Sequence, residues 1–147
     1  MIYKYGDMWS IYPSHTNYLL FTANSYIKNN GALVMGRGAA KQARDRLPGI
    51  DMELGRKVVH LGKYGIVLSN RYPRVGAFQV KYGYSEQANI WLIQESVFRL
   101  FEFLAHNPGL KIDLNFPGIG NGGLDVKTVE PIIKLLPDSV RVWRYSK

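Results

Sequence analysis

The sequence predicts an α/β fold in which helices cover both faces of a largely parallel sheet. Short apolar segments typical of buried strands alternate along the chain with segments whose apolar residues repeat at helical spacing. Apolar residues make up 46% of the 147 residues and charged residues 20%, which indicates a globular protein and excludes disorder, collagen and coiled coil. Because no linker or internal repeat interrupts the chain, we expect residues 1–147 to form a single domain.

The first predicted elements are a buried strand at 18–23 and a long loop at 24–38, which is rich in Asn and Gly. Helix-forming residues follow at 39–47 and stop at Pro48, where a proline cannot continue the helix. A second short helix is predicted at 51–60.

The middle of the chain predicts two strands, at 64–69 and 77–80, separated by a turn that contains proline. The strongest helix signal covers residues 86–106, with Ser85 as its N-cap. The apolar residues that repeat there at helical spacing are Ile90, Ile93, Val97, Leu100, Phe101 and Leu104.

The last predicted elements are a strand at 111–116, a helix at 125–136 and a strand at 140–145. A glycine-rich loop, 117–123, joins the first two of these elements, and the loop at 24–38 likewise precedes a helix. Because ligands of such folds bind at the carboxyl ends of the strands, we expect both loops to lie on one rim of the sheet.

Several classes of site are excluded by composition. The chain has no cysteine, so it forms no disulfide and no thiolate site, and His15, His60 and His106 are too scattered for a zinc site. We therefore expect no metal and no cofactor. The first seven residues carry no secretory signal, and the apolar runs are too short to cross a bilayer, so we expect a cytoplasmic protein without a membrane partner.

The net charge of +8 is unevenly distributed. Residues 36–81 contain ten basic and three acidic residues, a net charge of +7, whereas the rest of the chain contains nine and eight. This asymmetry indicates an anionic partner such as a phosphate, a nucleotide or a nucleic acid bound through the basic face. The alternative is a solvated basic face that only aids solubility.

The glycine loop at 117–123 allows two interpretations. Gly118, Gly120 and Gly123 fit the G-x-G-x-x-G pattern of dinucleotide-binding folds, but Arg144 and Tyr145 stand where that pattern needs a ribose-binding acid. No P-loop motif is present. Glycines still let backbone N–H groups approach an anion closely, so two such loops on one rim predict a site for a diphosphate. The alternative is a pair of tight turns without a ligand.

Four segments together resemble the macro domain family. They are Gly6-Asp7-Met8 near the start, Thr22-Ala23-Asn24 at the end of a strand, M-G-R-G-A-A at 35–40 and P-G-I-G-N-G-G-L-D at 117–125. The resemblance is to the branch that contains the terminal ADP-ribose protein glycohydrolase, the DNA ADP-ribosyl glycohydrolase antitoxin, an ADP-ribose 1″-phosphate phosphatase and small phage-encoded macro proteins. It implies a three-layer α/β/α fold with a mixed, largely parallel sheet, and ADP-ribose as the ligand.

The resemblance also implies roles for individual residues. Asp7 would accept a hydrogen bond from the adenine amino group, Asn24 would contact the distal ribose, and both glycine loops would surround the diphosphate. The substrate-binding residues that it implies are Asp7, Met8, Ala23, Asn24, Met35, Gly36, Gly38, Ala39, Pro117, Gly118, Ile119, Gly120, Asn121, Gly122, Gly123 and Leu124. Asp7 and Asn24 are equally compatible with ordinary turn and capping roles.

The catalytic residues that the resemblance implies are Asp125, Lys81 and Asn24. Asp125 would carry a proton and Lys81 would attack the anomeric carbon of the distal ribose; the alternatives are a helix cap for Asp125 and a solvated position for Lys81. Two features depart from the branch. Val126 replaces a tryptophan that often follows the Leu-Asp pair, and the strand at 18–23 has no histidine of the kind that the phosphatase uses.

We therefore expect an ADP-ribose-binding protein that hydrolyses ADP-ribose conjugates of protein or nucleic acid at the 1″ position. An ADP-ribose 1″-phosphate phosphatase is the first alternative. The second is a non-catalytic reader or sponge for ADP-ribose-like nucleotides, such as a phage counter-defence protein would be.

Overall fold

The computed structural model describes residues 1–61 and 64–145, which form one mixed sheet between two layers of helices. The strands are β1 (Ile2–Tyr5), β2 (Asn17–Ala23), β3 (Ile66–Leu68), β4 (Val75–Gln79), β5 (Lys111–Asn115) and β6 (Val140–Arg144). The α-helices are α1 (Gly38–Arg46), α2 (Ile50–Leu61), α3 (Ile90–His106) and α4 (Val126–Ile133), and short 3-10 helices cover Met8–Ile11 and Gly120–Gly122.

The sheet has the strand order β1-β6-β5-β2-β4-β3. All neighbouring strands are parallel except β3 and β4, whose pairing is antiparallel. The chain leaves β2 toward one edge of the sheet and leaves β5 toward the other. The space between the carboxyl ends of β5 and β2 is therefore the topological switch point, where ligands of open α/β sheets bind.

Two separate apolar cores confirm the three-layer arrangement. One core packs α1 and α2 against one face of the sheet, and the other packs α3 and α4 against the opposite face. Neighbouring residues of β2 divide between them: Leu19 and Phe21 enter the first core, and Leu20 enters the second. This division follows from the alternation of side chains along a strand, which explains why the strand reads as a continuous apolar run.

The predicted helix at 86–106 begins four residues later than expected. Helix α3 starts at Ile90, where the Asn89 side chain accepts hydrogen bonds from the backbone N–H groups of Trp91 and Leu92, so Asn89 and not Ser85 is the N-cap. The preceding residues are held by tertiary bonds, because the Ala88 N–H donates to the carbonyl of Gly122 at 2.7 Å. This tie fastens the start of α3 to the second glycine loop.

The other predicted elements are present with shifted ends. The strand predicted at 77–80 is β4, which begins at Val75, and the helix predicted at 125–136 is α4, which ends at Ile133. Strand β1 was not predicted. It lies at the edge of the sheet and is mostly exposed, so its residues lack the apolar pattern of a buried strand.

The carboxyl ends of β2 and β5 separate, and a pair of side chains joins them there. Regular pairing of the two strands ends at Leu20 and Leu114. Beyond that point the Asn115 side chain accepts a hydrogen bond from the Thr22 N–H at 2.9 Å and donates one to the Thr22 hydroxyl at 2.8 Å. The side-chain bonds replace missing backbone bonds, and the cleft between the strands opens above them.

Candidate functional site

A cavity of about 780 Å³ lies over the carboxyl ends of the parallel strands. Its volume is within the range of small-molecule sites. The residues that line it come from the ends of all five parallel strands and from the two glycine loops. They are Gly6, Met8, Thr22, Ala23, Asn24, Val34, Gly36, Arg37, Gly38, Ala39, Ala40, Gln42, Val80, Lys81, Tyr84, Asn115, Phe116, Gly118, Ile119, Gly120, Asn121, Gly122, Trp143, Arg144 and Tyr145.

The two glycine loops lie side by side at this cavity. A Cβ atom placed on Gly38 would be 3.1 Å from Nδ2 of Asn121, so the backbone of one loop touches a side chain of the other. Gly38 also has a φ of +59°, a conformation that favours glycine. The predicted common rim is therefore present in the structure.

The first loop leads into α1 without a side-chain cap. Arg37 occupies the N-cap position and makes no capping hydrogen bond, and the first backbone N–H groups of a helix have no partner within the helix. These groups and the positive end of the helix dipole suit an anion in the cavity. A Cβ atom on Gly36 would meet nothing within 4 Å, so this residue borders open space.

The second loop packs closely against α3 on one side and is open toward the cavity on the other. Gly118 has a φ of +83°, and a Cβ atom there would be 2.8 Å from Ile93. Gly120 has a φ of +63°, and a Cβ atom there would meet nothing within 4 Å. The glycines thus serve two purposes, because one allows the loop to pack on α3 and the other keeps the cavity free.

Lys81 lies at the end of the cavity that β4 provides. Burial lowers the pKa of its amine, and the neighbouring Arg37 cation lowers it further. Its backbone carbonyl accepts a hydrogen bond from the Ser25 hydroxyl, which itself accepts one from the side chain of buried Gln79. The backbone of Lys81 is therefore held in place by Ser25 and Gln79. Its amine loses a proton more easily than the amine of a free lysine, because its pKa is lowered.

Asn24 follows β2 and is 7% exposed. Its side-chain oxygen accepts a hydrogen bond from the Tyr26 N–H at 3.1 Å. Because the oxygen is held in this way, the amide nitrogen is the part of the side chain that remains as a donor for a ligand.

The opposite end of the cavity is formed by β1 and β6 and is rich in aromatic and apolar side chains. Met8 and Trp143 line it, and the indole of Trp143 donates a hydrogen bond to buried Asp113 at 2.8 Å. Asp113 also pairs with Arg141 at 2.7 Å. A flat aromatic wall held by a buried ion pair suits a nucleobase.

Some of the predicted site residues do not line the cavity. Met35 is a core residue, and Leu124 packs against the second core. The carboxylate of Asp7 accepts a hydrogen bond from the Trp9 N–H at 3.0 Å and lies 3.7 Å from Arg46. The residues outside the lining are Asp7, Met35, Pro117, Gly123, Leu124 and Asp125.

Asp125 lies just beyond the second glycine loop. It occupies the N-cap position of α4, but its carboxylate makes no capping hydrogen bond and is exposed. Asp125 therefore lies where the helix-cap interpretation predicts, but its side chain does not make the capping hydrogen bond. The structure brings Lys81 and Asn24 into the cavity and leaves the Asp125 carboxylate outside its lining.

Several lining residues were not predicted from the sequence. These include the Thr22–Asn115 pair and the end of β6 with Trp143 and Arg144. One available signal was the rule that ligands bind at strand carboxyl ends, which applies to the predicted strand at 140–145 as well.

The charged side chains that line the cavity, within the described part of the chain, are all cationic. Among residues 1–61 and 64–145, the charged side chains in the lining are Arg37, Lys81 and Arg144, with no carboxylate and no histidine. The same ranges contain no group of three His, Cys, Asp or Glu residues that could hold a metal ion. No helix in the described part of the chain is long and apolar enough to span a membrane.

Comparison with solved structures identifies the fold as that of a macrodomain. The macrodomain of Mycobacterium tuberculosis DarG matches with a TM-score of 0.73 and 20% identity over 97% of both chains. The macrodomain of Thermus aquaticus DarG matches with a TM-score of 0.71 and 22% identity over 99% of this chain and 97% of that one.

A third match is Thermosipho africanus DarTG, whose structure is a complex with ADP-ribose. Its TM-score is 0.69 at 18% identity, over 94% of this chain and 39% of that chain. No protein-family model matches the sequence, and no curated protein matches it. The predicted macrodomain fold is thus confirmed by three-dimensional similarity at low sequence identity.

Proposed function

We propose that the protein binds ADP-ribose in this cavity. The observation that carries the proposal is the cradle formed where the two glycine loops meet beside the N-terminus of α1, whose first backbone N–H groups have no partner within the helix. Such a cradle suits the diphosphate, which carries two negative charges at the centre of the ligand. The ADP-ribose complex of the structurally similar Thermosipho africanus protein supports the choice of ligand.

The two ends of the cavity suit the two halves of ADP-ribose. The aromatic end at β1 and β6 would take the adenosine, with Met8 and Trp143 against the base. The end at β2 and β4 would take the distal ribose, with Asn24 donating to its hydroxyls and Lys81 beside its 1″ carbon. Asp7 keeps its proposed contact with the adenine amino group, from a position just outside the lining.

The catalytic proposal is hydrolysis of an ADP-ribose conjugate at the 1″ carbon. The neutral amine of Lys81 would attack this carbon, and the bond to the leaving oxygen would break as that oxygen takes a proton. Water would then release ADP-ribose and restore the amine. The lowered pKa of Lys81 supports this role, since only the neutral amine is a nucleophile. Asp125 is the proposed proton carrier.

A non-catalytic reader is the second candidate function. The observation that favours it is the absence of any carboxylate or histidine among the described residues of the lining, because hydrolysis needs a proton donor at the leaving oxygen.

For either function, the macromolecule that carries the ADP-ribose would be a protein or a nucleic acid. The basic stretch at 36–81 would favour a nucleic acid.

The test is to incubate the purified protein with ADP-ribosylated protein, ADP-ribosylated DNA and ADP-ribose 1″-phosphate, and to measure released ADP-ribose and phosphate. Release from a conjugate that is lost in Lys81→Ala supports the hydrolase. Binding by calorimetry without any product supports the reader, and phosphate release alone supports a phosphatase. Failure to bind ADP-ribose would contradict all three.

A further inference from the structure

Two of the three lining cations, Lys81 and Arg144, lie toward opposite ends of the cavity. Lys81 follows β4 and Arg144 ends β6, and β5 and β2 lie between these strands. Three strand spacings of about 4.8 Å separate the two positions by roughly 14 Å. Arg37 lies at the N-cap of α1, beside the glycine loops, and acts on Lys81 electrostatically. Arg144 is therefore the single lining cation of the adenosine end within the described ranges.

Arg144 is held at its own end by a stack of aromatic rings. Its guanidinium lies 5.6 Å from the ring centroid of Phe116, and Phe116 stacks on Tyr3 with a centroid distance of 6.3 Å and an angle of 6°. A guanidinium that stacks through its face keeps its N–H donors free at the edge, and this geometry suits a phosphate oxygen.

No carboxylate of the described chain neutralises Arg144 through an ion pair. Glu130 interacts with Arg144 electrostatically, but its carboxylate is bonded to the Tyr3 hydroxyl and pairs with Lys134 at 3.2 Å. A cation that makes no direct ion pair, beside an aromatic wall, is an arrangement that favours an anion attached to the bound base or its ribose.

The central glycine loops already provide for the diphosphate, so Arg144 has no evident role toward unmodified ADP-ribose. We infer that Arg144 recognises a phosphomonoester on the adenosine ribose, and that the preferred ligand is an ADP-ribose phosphorylated at the 2′ or 3′ position. This inference rests on the proposed function, because it takes the adenosine to occupy the β1–β6 end. Arginine serves the same purpose in dinucleotide folds that accept a 2′-phosphate.

The test compares the affinity of the protein for ADP-ribose, ADP-ribose 2′-phosphate and ADP-ribose 3′-phosphate by calorimetry at one salt concentration. We expect one of the two phosphorylated ligands to bind about 10- to 100-fold more tightly than ADP-ribose, as charge-assisted hydrogen bonds allow. The two phosphorylated ligands distinguish the position that is read. The preference should weaken below pH 6, where the phosphate gains a proton.

Variants separate recognition from general charge. In Arg144→Gln the ratio of the affinity for the preferred phosphorylated ligand to the affinity for ADP-ribose should fall to about one. In Arg144→Lys this ratio should be intermediate, because lysine keeps the charge but lacks the planar guanidinium that can donate two parallel hydrogen bonds. Lys111→Gln, at the amino end of β5 and so at the end of the strand opposite the cavity, should keep the ratio. If ADP-ribose binds and the wild-type ratio is already one, this inference is wrong and the proposed function stands. If no ligand binds, the proposed function fails with it.

Discussion

At the scale of single residues, the most informative side chain is Lys81. Its amine is partly buried and lies near Arg37, and both conditions lower its pKa. A lysine in this environment is neutral more often than a surface lysine at the same pH, so it is prepared to act as a nucleophile. The burial is the larger of the two causes.

If Lys81 is the nucleophile, kcat for conjugate hydrolysis should rise with pH until the lowered pKa of Lys81 is passed and then remain level. In Arg37→Gln the midpoint of this rise should move to higher pH, because removal of a cation raises the pKa of the neighbouring amine. The measurement is the pH profile of kcat, with Lys111→Gln as the control for net charge. A midpoint that is the same in Arg37→Gln and in the control would contradict the role.

Gly36 allows a test of the cavity that leaves the fold intact. Its φ is not in the left-handed region, and an added Cβ atom would meet nothing within 4 Å. Gly36→Ala should therefore leave the free energy of unfolding within about 0.5 kcal/mol, as is usual for such surface changes. A methyl group on the cradle should nevertheless weaken ADP-ribose binding by at least about tenfold, or 1.4 kcal/mol. Calorimetry of binding and of unfolding checks both parts, and unchanged affinity would argue against the cradle.

At the scale of elements, the loop between β2 and α1 is held in place by α2. The Leu33 N–H donates to the carbonyl of Asp51, and Gly55 lies so close to the loop that a Cβ atom there would be 2.1 Å from the carbonyl oxygen of Gly31. Helix α2 thereby fixes the segment that leads to Gly36.

Gly55→Ala should lower the free energy of unfolding by about 3 kcal/mol, because the new methyl group meets backbone atoms that cannot rotate away. Helix propensity alone predicts the opposite sign, a gain of about 1 kcal/mol for replacing glycine by alanine. Chemical denaturation therefore decides between the two effects. A stabilised variant would show that the helix and the loop are not in close contact.

The sequence predicted the order of the elements and the common position of the glycine loops, but not every boundary. Apolar runs and periodicity located β2, α3 and β5, because these elements are buried in one core or both. The predicted start of α3 was wrong because tertiary backbone bonds, from Ala88 to Gly122 and from Asn89 to Val80, hold the preceding residues outside the helix, and Asn89 caps the helix instead of Ser85. Strand β1 was missed because an exposed edge strand carries no apolar alternation.

The site was predicted only in part, for a related reason. The resemblance to the macro domain family identified Asn24 and Lys81, and local glycine-rich turn signals identified both loops. At the end of the cavity formed by β1 and β6, Met8 was predicted, but Trp143 and Arg144 were not, because they reach the cavity through the strand order, which a local pattern does not contain. The exposed position of Asp125 likewise depends on how the second loop turns into α4.

At the scale of the whole molecule, the cavity draws on every parallel strand, so a ligand in it bridges parts of the chain that are far apart in sequence. Saturation with ADP-ribose at about 100 times its Kd should stabilise the fold by about 2.7 kcal/mol. For a chain of this length that corresponds to a rise in Tm of roughly 5–10 °C. Adenosine at the same concentration lacks the diphosphate and should give little or no rise in thermal unfolding experiments.

The buried ion pair beneath the cavity also contributes to the whole fold. Asp113 is 1% exposed and accepts hydrogen bonds from Arg141 and from Trp143. Asp113→Ala leaves the Arg141 cation without its partner and should lower the free energy of unfolding by about 3 kcal/mol. Denaturation measures this loss, and a variant as stable as the wild type would show that the pair is dispensable for folding.

A titration of the ¹⁵N-labelled protein with ADP-ribose, followed by backbone amide chemical shifts, tests whether the two glycine loops hold the diphosphate together. We expect the largest changes at the amides of 36–39 and of 118–122 together, and we expect that adenosine does not produce them. Changes confined to one loop, or equal changes with adenosine, would contradict a diphosphate held between the two loops.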